Sequence, residues 1–111
     1  MGTDALARDL LNVEPRQYLT LSGFPSSGET SNWHVNKAVA MGPSTGGKTH
    51  AVVLQRGDAS AEWLAIIIEN KPDGIEFSSF NHFEGAEPKL SGNDPGETVD
   101  PDGISVVDVE S

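Results

Sequence analysis

Hydrophobic and polar residues alternate with a period of two in several segments of the chain, which is the pattern of strands with one buried face. Glycine, proline, asparagine and serine cluster between the alternating segments, as expected for turns and connecting loops. One segment is continuously apolar from Trp63 to Ile68, which is typical of a strand buried on both faces. We therefore predict strands over residues 17–22, 33–41, 49–56, 63–70 and 75–80.

The first residues have a different period. Leu6, Leu10 and Leu11 recur at helical spacing, and Pro15 prevents the helix from continuing. The spacing predicts a helix over residues 3–12 that packs its leucines on a sheet. The fold class predicted from these patterns is α+β, with an N-terminal helix packed across a four- to five-stranded antiparallel β-meander.

The pattern weakens after Phe83. Residues 84–111 contain eight acidic residues against one lysine, together with three prolines. We interpret residues 1–83 as a single α+β domain and residues 84–111 as an acidic, extended tail. The segment 104–109 is apolar enough to form one more strand, either on the domain's own sheet edge or on a partner.

Length and charge narrow the classes of function. A chain of 111 residues has room for one modest core. Seven Lys and Arg residues against 17 Asp and Glu residues give a net charge of −10, which argues against direct binding to nucleic acid or to an anionic membrane. Neither a long apolar segment nor a signal-peptide pattern is present, so we expect the protein in the cytoplasm or within a larger assembly.

The acidity itself has three interpretations. The low lysine content and the many small residues resemble the halophilic-like composition of proteins adapted to high salt. The charge could instead belong to an acidic tail on an ordinary domain. The third interpretation is an acidic face that mimics nucleic acid and inhibits a basic partner.

One glycine-rich segment carries a possible phosphate site. Residues 42–49 match the G-x-x-x-x-G-K-[ST] pattern, with Gly42, Gly47, Lys48 and Thr49 as the candidate nucleotide-binding residues. That chemistry requires a helix that begins at the lysine. Residues 49–56 are rich in β-branched side chains and predict a strand, so we favour a hairpin loop here and keep nucleotide binding as an alternative.

Patterns for covalent catalysis are missing from the sequence. The chain contains no cysteine and no G-x-S-x-G nucleophile motif, which removes the usual covalent nucleophiles. Its three histidines are too far apart in sequence to show metal-ligand spacing. We therefore expect no enzymatic activity, no metal and no cofactor.

The aromatic residues suggest where a partner could bind. Trp33 lies beside a serine- and glycine-rich loop, and Phe80 and Phe83 lie near the predicted tail. Large rigid rings contribute strongly to interfaces, so these three are candidate exposed anchors. The function we favour is a small acidic protein–protein interaction module, such as an accessory subunit, an inhibitor or an assembly component. The partner is another protein, or a second copy bound through a sheet edge.

Overall fold

A computed structural model describes residues 2–40, 48–57, 61–87 and 96–110 of the chain. The described residues form one α-helix, α1 (Gly2–Leu11), and a single antiparallel sheet. The strands of that sheet are β1 (Tyr18–Ser22), β2 (Thr30–Ala40), β3 (Lys48–Arg56), β4 (Glu62–Lys71), β5 (Gly74–Glu84), β6 (Glu97–Thr98) and β7 (Ser105–Glu110).

The order of the strands in the sheet is β6-β5-β4-β3-β2-β1-β7. The first five strands form a meander in which each strand pairs with the next. Strand β6 adds two residues to β5, and β7 crosses to the opposite side of the sheet and pairs with β1. The end of the chain therefore supplies both outer strands.

The helix lies against one face of the sheet, which we call the helix-side face; the opposite one is the outer face. Leu6 and Leu10 of α1 are buried there. The helix contacts both β5 and β7, which are five strand spacings apart in the sheet order. In a flat sheet that separation is about 24 Å, longer than a ten-residue helix at about 15 Å. The sheet therefore curves around the helix.

The core has two parts, one on each face of the central strands. The larger part joins the helix to the helix-side face of the sheet and includes Trp33, Leu54 and Ile66. The smaller part lies on the outer face and consists of Val53, Trp63, Ala65 and Phe83. The central strands β3 and β4 are consequently buried on both faces, which explains the continuous apolar run in the sequence.

The predicted helix and meander are confirmed, whereas the prediction for the end of the chain is corrected. The sheet has seven strands instead of four or five. The described part of the predicted tail contributes β6 and β7, and Ile104 is buried in the main core. The expected strand over 104–109 corresponds to β7, paired with the protein's own edge. Residues 88–95 of the predicted tail lie outside the described residues.

Candidate functional site

Strand β7 is one of the two outer strands of the sheet. One side pairs antiparallel with β1, from Ser22 opposite Ser105 to Tyr18 opposite Glu110. In the described part of the chain, no strand pairs with its other side. An outer strand of this kind presents backbone N–H and C=O groups that are free to bind another strand.

The residues before β7 fix its position. Ile104 is buried in the core, and its amide donates a hydrogen bond to the Pro101 carbonyl oxygen at 3.1 Å. Gly23, at the end of β1, has a φ of +90°, and a Cβ there would collide with the Gly103 carbonyl oxygen. The close approach that Gly23 permits brings the turn at Gly103 against the end of β1.

The register between β1 and β7 separates the side chains of β7 onto the two faces. Val106 and Val109 pair with the buried Leu21 and Leu19, and so lie on the helix-side face. Asp108 pairs with Thr20 on the outer face. The register shifts between Thr20 and Leu21, which is the signature of a β-bulge in this ladder. Charged and apolar side chains therefore alternate along the C-terminal half of the strand.

A groove follows β7 on the helix-side face, and we call it the helix-side groove. Its volume is about 490 Å³. Val107 and Val109 are 57% and 43% exposed. The groove lies between β7 and the end of α1, and its lining residues are Asp9, Asn12, Val13, Gln17, Val106, Val107, Asp108 and Val109.

A second, smaller cleft lies along the β1–β7 pair, and we call it the Tyr18 cleft. Its volume is about 300 Å³. The Tyr18 ring is 51% exposed and packs against the His34 ring, with the two centroids 4.8 Å apart. The lining residues are Tyr18, Leu19, Thr20, Asn32, Asp108 and Glu110.

Both cavities are acidic. Asp9 and Asp108 contribute to the helix-side groove, and Asp108 and Glu110 to the Tyr18 cleft, whereas no lysine or arginine lines either cavity among the described residues. Asp108 and Glu110 are exposed and form no ion pair within the described ranges. In the described part of the chain, no basic side chain therefore forms an ion pair with the Asp108 or Glu110 carboxylate.

The aromatic residues predicted as exposed anchors are buried. Trp33 is inaccessible to solvent, Phe80 lies in the main core and Phe83 lies in the outer cluster. The Trp33 indole donates a hydrogen bond to the Ser31 hydroxyl oxygen at 2.7 Å. The suggestion that these three rings could be exposed anchors is therefore wrong. Trp33 and Phe80 pack in the main core on the helix-side face, and Phe83 packs in the outer cluster.

The candidate phosphate loop is described only at its end. Gly42 and Gly47 lie outside the described residues. Lys48 and Thr49 are the first two residues of β3 and pair with Asn70 and Glu69 of β4. The lysine thus begins a strand, whereas a phosphate-binding loop of this type requires it to begin a helix.

A charged cluster on the helix-side face was not predicted from the sequence. Glu62 accepts a hydrogen bond from Arg56 at 3.2 Å and lies 2.7 Å from the His82 ring nitrogen Nε2. The Arg56 guanidinium lies over the Trp33 ring, and the His82 ring packs against Phe24. Arg56 and Glu62 lie on either side of the connection between β3 and β4, whereas His82 is 20 residues from Glu62 and meets it because β4 and β5 are neighbours. The cluster links three strands, and we assign it a structural role.

The three histidines are not brought together. His34 contacts Tyr18, His82 contacts Glu62, and His50 has a buried Nδ1 atom with no hydrogen-bond partner in the described structure. Within the described ranges, no group of three or more histidine and carboxylate side chains is arranged to hold a metal ion. No helix among the described residues has the length and apolar character needed to cross a lipid bilayer.

Comparison with known proteins finds no family model that matches the chain, no similar curated protein and no similar solved structure.

Proposed function

We propose that the protein is a protein–protein interaction module that binds an extended segment of another protein along the free side of β7. The observation that carries the proposal is an outer strand of six residues whose free side is bordered by exposed valines. In strand addition, backbone hydrogen bonds supply affinity and pockets for alternate side chains supply specificity. The helix-side groove and the Tyr18 cleft provide two such pockets.

A comparison of the two outer strands supports this choice. Natural sheets protect their outer strands by keeping them short, charged or covered. Strand β6 follows that rule, because it has only two residues, Glu97 and Thr98, both exposed and polar. Strand β7 also carries two carboxylates, but it is three times longer and exposes Val107 and Val109 next to them. The apolar exposure favours a binding role at β7 over β6.

The nucleotide-binding alternative has less support. Lys48 and Thr49 belong to β3 and pair with Asn70 and Glu69 of β4. A phosphate would need free amides at a helix start. We therefore assign the binding role to the sheet edge.

Two alternating hexapeptides test the proposal: Ac-Val-Gln-Val-Gln-Val-Gln-NH2 and Ac-Val-Arg-Val-Arg-Val-Arg-NH2. Each is added to the full chain, and amide hydrogen exchange is followed by NMR. At least one peptide should slow exchange along β7 more than elsewhere, because added backbone hydrogen bonds protect the amides that they involve.

The control peptides replace every valine by proline, which cannot donate a backbone hydrogen bond and disfavours a strand ladder. They should leave exchange at β7 unchanged. The proposal would be contradicted if neither valine peptide protected β7, or if the proline peptides protected it equally well.

A further inference from the structure

The two cavities beside β7 differ in chemistry and open on the same strand. The helix-side groove offers the exposed valines together with Val13 and the half-buried Val106. The Tyr18 cleft offers an aromatic ring with two carboxylates. A strand directs successive side chains to opposite faces of its sheet. A segment added to β7 therefore places alternate side chains in two different environments.

The Tyr18 cleft has the chemistry to bind a cationic side chain. Half of the Tyr18 surface is open to solvent, and the faces of aromatic rings attract guanidinium and ammonium groups. Asp108 and Glu110 follow one another at alternate positions and have no basic partner within the described ranges. The guanidinium group of an arginine can stack on the ring while its N–H groups donate hydrogen bonds to a carboxylate.

The helix-side groove suits a smaller apolar side chain. Val13 is 5% exposed and forms part of the main core, so this groove extends the core surface towards the free side of β7. An apolar side chain placed there would cover Val109 and remove its exposed surface from water. The helix-side groove thus suits an apolar side chain of the bound segment, whereas the Tyr18 cleft suits a cationic one.

We infer that the segment recognised by β7 is an extended basic peptide of another protein, in which apolar residues alternate with arginine or lysine. The inference rests on the proposed strand addition and specifies the chemistry of the partner. The apolar residues occupy the helix-side groove, and the basic residues occupy the Tyr18 cleft.

Charge also argues against a second copy of the chain as the occupant. Each chain has a net charge of −10, and pairing two β7 strands would bring the Asp108 and Glu110 side chains of both copies together. Like charges at an interface are unfavourable and select against the wrong partner. A basic segment would instead be attracted to this edge, since its positive charges neutralise these carboxylates.

The test compares the arginine peptide with the glutamine peptide by isothermal titration calorimetry on the full chain. The arginine peptide should bind at least about tenfold more tightly at about 50 mM NaCl, and most of this advantage should be lost at about 500 mM NaCl because the exposed charges are screened. Equal affinity of the two peptides would overturn the inference but leave strand addition standing, provided that β7 is protected in both complexes. Failure of both peptides to bind would overturn the function as well.

Matched variants locate the charge effect. The double variant Asp108→Asn with Glu110→Gln should weaken binding of the arginine peptide about tenfold. The control double variant Asp73→Asn with Glu97→Gln also removes two negative charges, one from the turn between β4 and β5 and one from β6, and it should change affinity less than about twofold. If both double variants lost the same affinity for the arginine peptide, the effect would be due to net charge. The Tyr18 cleft would then not be the binding site.

The aromatic contribution is tested with Tyr18→Leu, which keeps an apolar side chain but removes the ring. Affinity for the arginine peptide should fall about threefold, and affinity for the glutamine peptide should stay constant. Thermal unfolding of each variant verifies that the fold is retained. If sedimentation equilibrium showed a dimer that the arginine peptide cannot dissociate, a second copy would be the occupant and the inference would be wrong.

Discussion

At the scale of single residues, the position of β7 depends on one glycine. Gly23 combines a positive φ with a close approach to the Gly103 carbonyl oxygen, and its own amide donates a hydrogen bond to the Glu29 carbonyl oxygen at 2.7 Å. The turn at Gly103 leads directly to the buried Ile104 and then to β7. A larger residue at position 23 would therefore disturb the strand that carries the binding edge.

Gly23→Ala should lower the free energy of unfolding by about 3 kcal/mol, because backbone strain and a steric collision act together. Gly28→Ala is the matched control. Gly28 has a similar φ of +85° but no atom within 4 Å of a Cβ, so strain alone should cost about 1 kcal/mol. Urea denaturation measures both values. Equal losses for the two variants would show that the contact with Gly103 does not constrain the chain.

At the scale of strands and hairpins, the sequence predicted the elements that depend on local patterns of residues. Alternation and turn residues identified the five meander strands, because each pairs with its neighbour in sequence. The partner of β7 could not be predicted in this way, since pairing with β1 depends on how the whole sheet curves. The acidic residues around Asp108 resemble a solvated tail, and nothing local distinguishes a tail from a charged outer strand.

The same limit applies to the candidate site. The sequence identified Trp33, Phe80 and Phe83 as large apolar rings but could not show which surfaces α1 and the curved sheet cover. Tyr18 was assigned to a strand, yet its exposure follows from its place opposite Glu110 near the end of a ladder. That a sheet edge could be the contact was expected from the unpaired backbone groups of any outer strand. Which strand is the outer one could be learned only from the structure.

The β4–β5 hairpin should show a pH dependence at high pH. The Lys71 ammonium group donates a hydrogen bond to the Glu76 carboxylate at 2.6 Å. This hydrogen bond and the negative charges of Glu76 and Glu69 raise the pKa of Lys71 above its ordinary value of 10.5. A lysine whose pKa is higher in the folded state than in the unfolded state stabilises the fold at every pH below its unfolded-state pKa. This stabilisation is lost as the pH rises through the folded-state pKa. The free energy of unfolding should therefore decrease more steeply above pH 10.5 in the natural chain than in Lys71→Met.

Denaturation curves recorded across that alkaline range provide the measurement. The difference should be small, because the Lys71 side chain is partly exposed and water screens its ion pairs. Identical slopes for the natural chain and Lys71→Met would show that the Glu76 contact does not persist in solution.

At the scale of the whole molecule, ten excess negative charges are carried by a body with a radius of gyration of 13.0 Å. Charges this close repel one another in the folded state, and dissolved salt reduces the repulsion. The same carboxylates that disfavour compactness form the negative edge at β7. Salt should therefore act in opposite directions on folding and on binding of a basic peptide.

The midpoint of thermal unfolding should rise by several degrees when KCl is increased from about 0.1 M to about 2 M, because self-repulsion is screened. The rise should be smaller in the Asp73→Asn with Glu97→Gln variant, which begins with less repulsion. Calorimetry measures both. A midpoint that stays constant or falls with KCl would mean that the acidity does not limit stability, and the halophilic interpretation of the composition would be wrong.

The pairing of β1 with β7 also has a consequence during protein synthesis. Strands β1 to β5 can form their meander as soon as residue 84 has left the ribosome, whereas β7, the outer partner of β1, is translated only after all five of them. Until then β1 itself is the open edge, and Leu19 and Leu21 lack the cover that β7 provides. Long-range strand pairing of this kind forms late and leaves nascent chains prone to association. The edge exposed in the finished protein thus replaces a more apolar edge exposed by the growing chain.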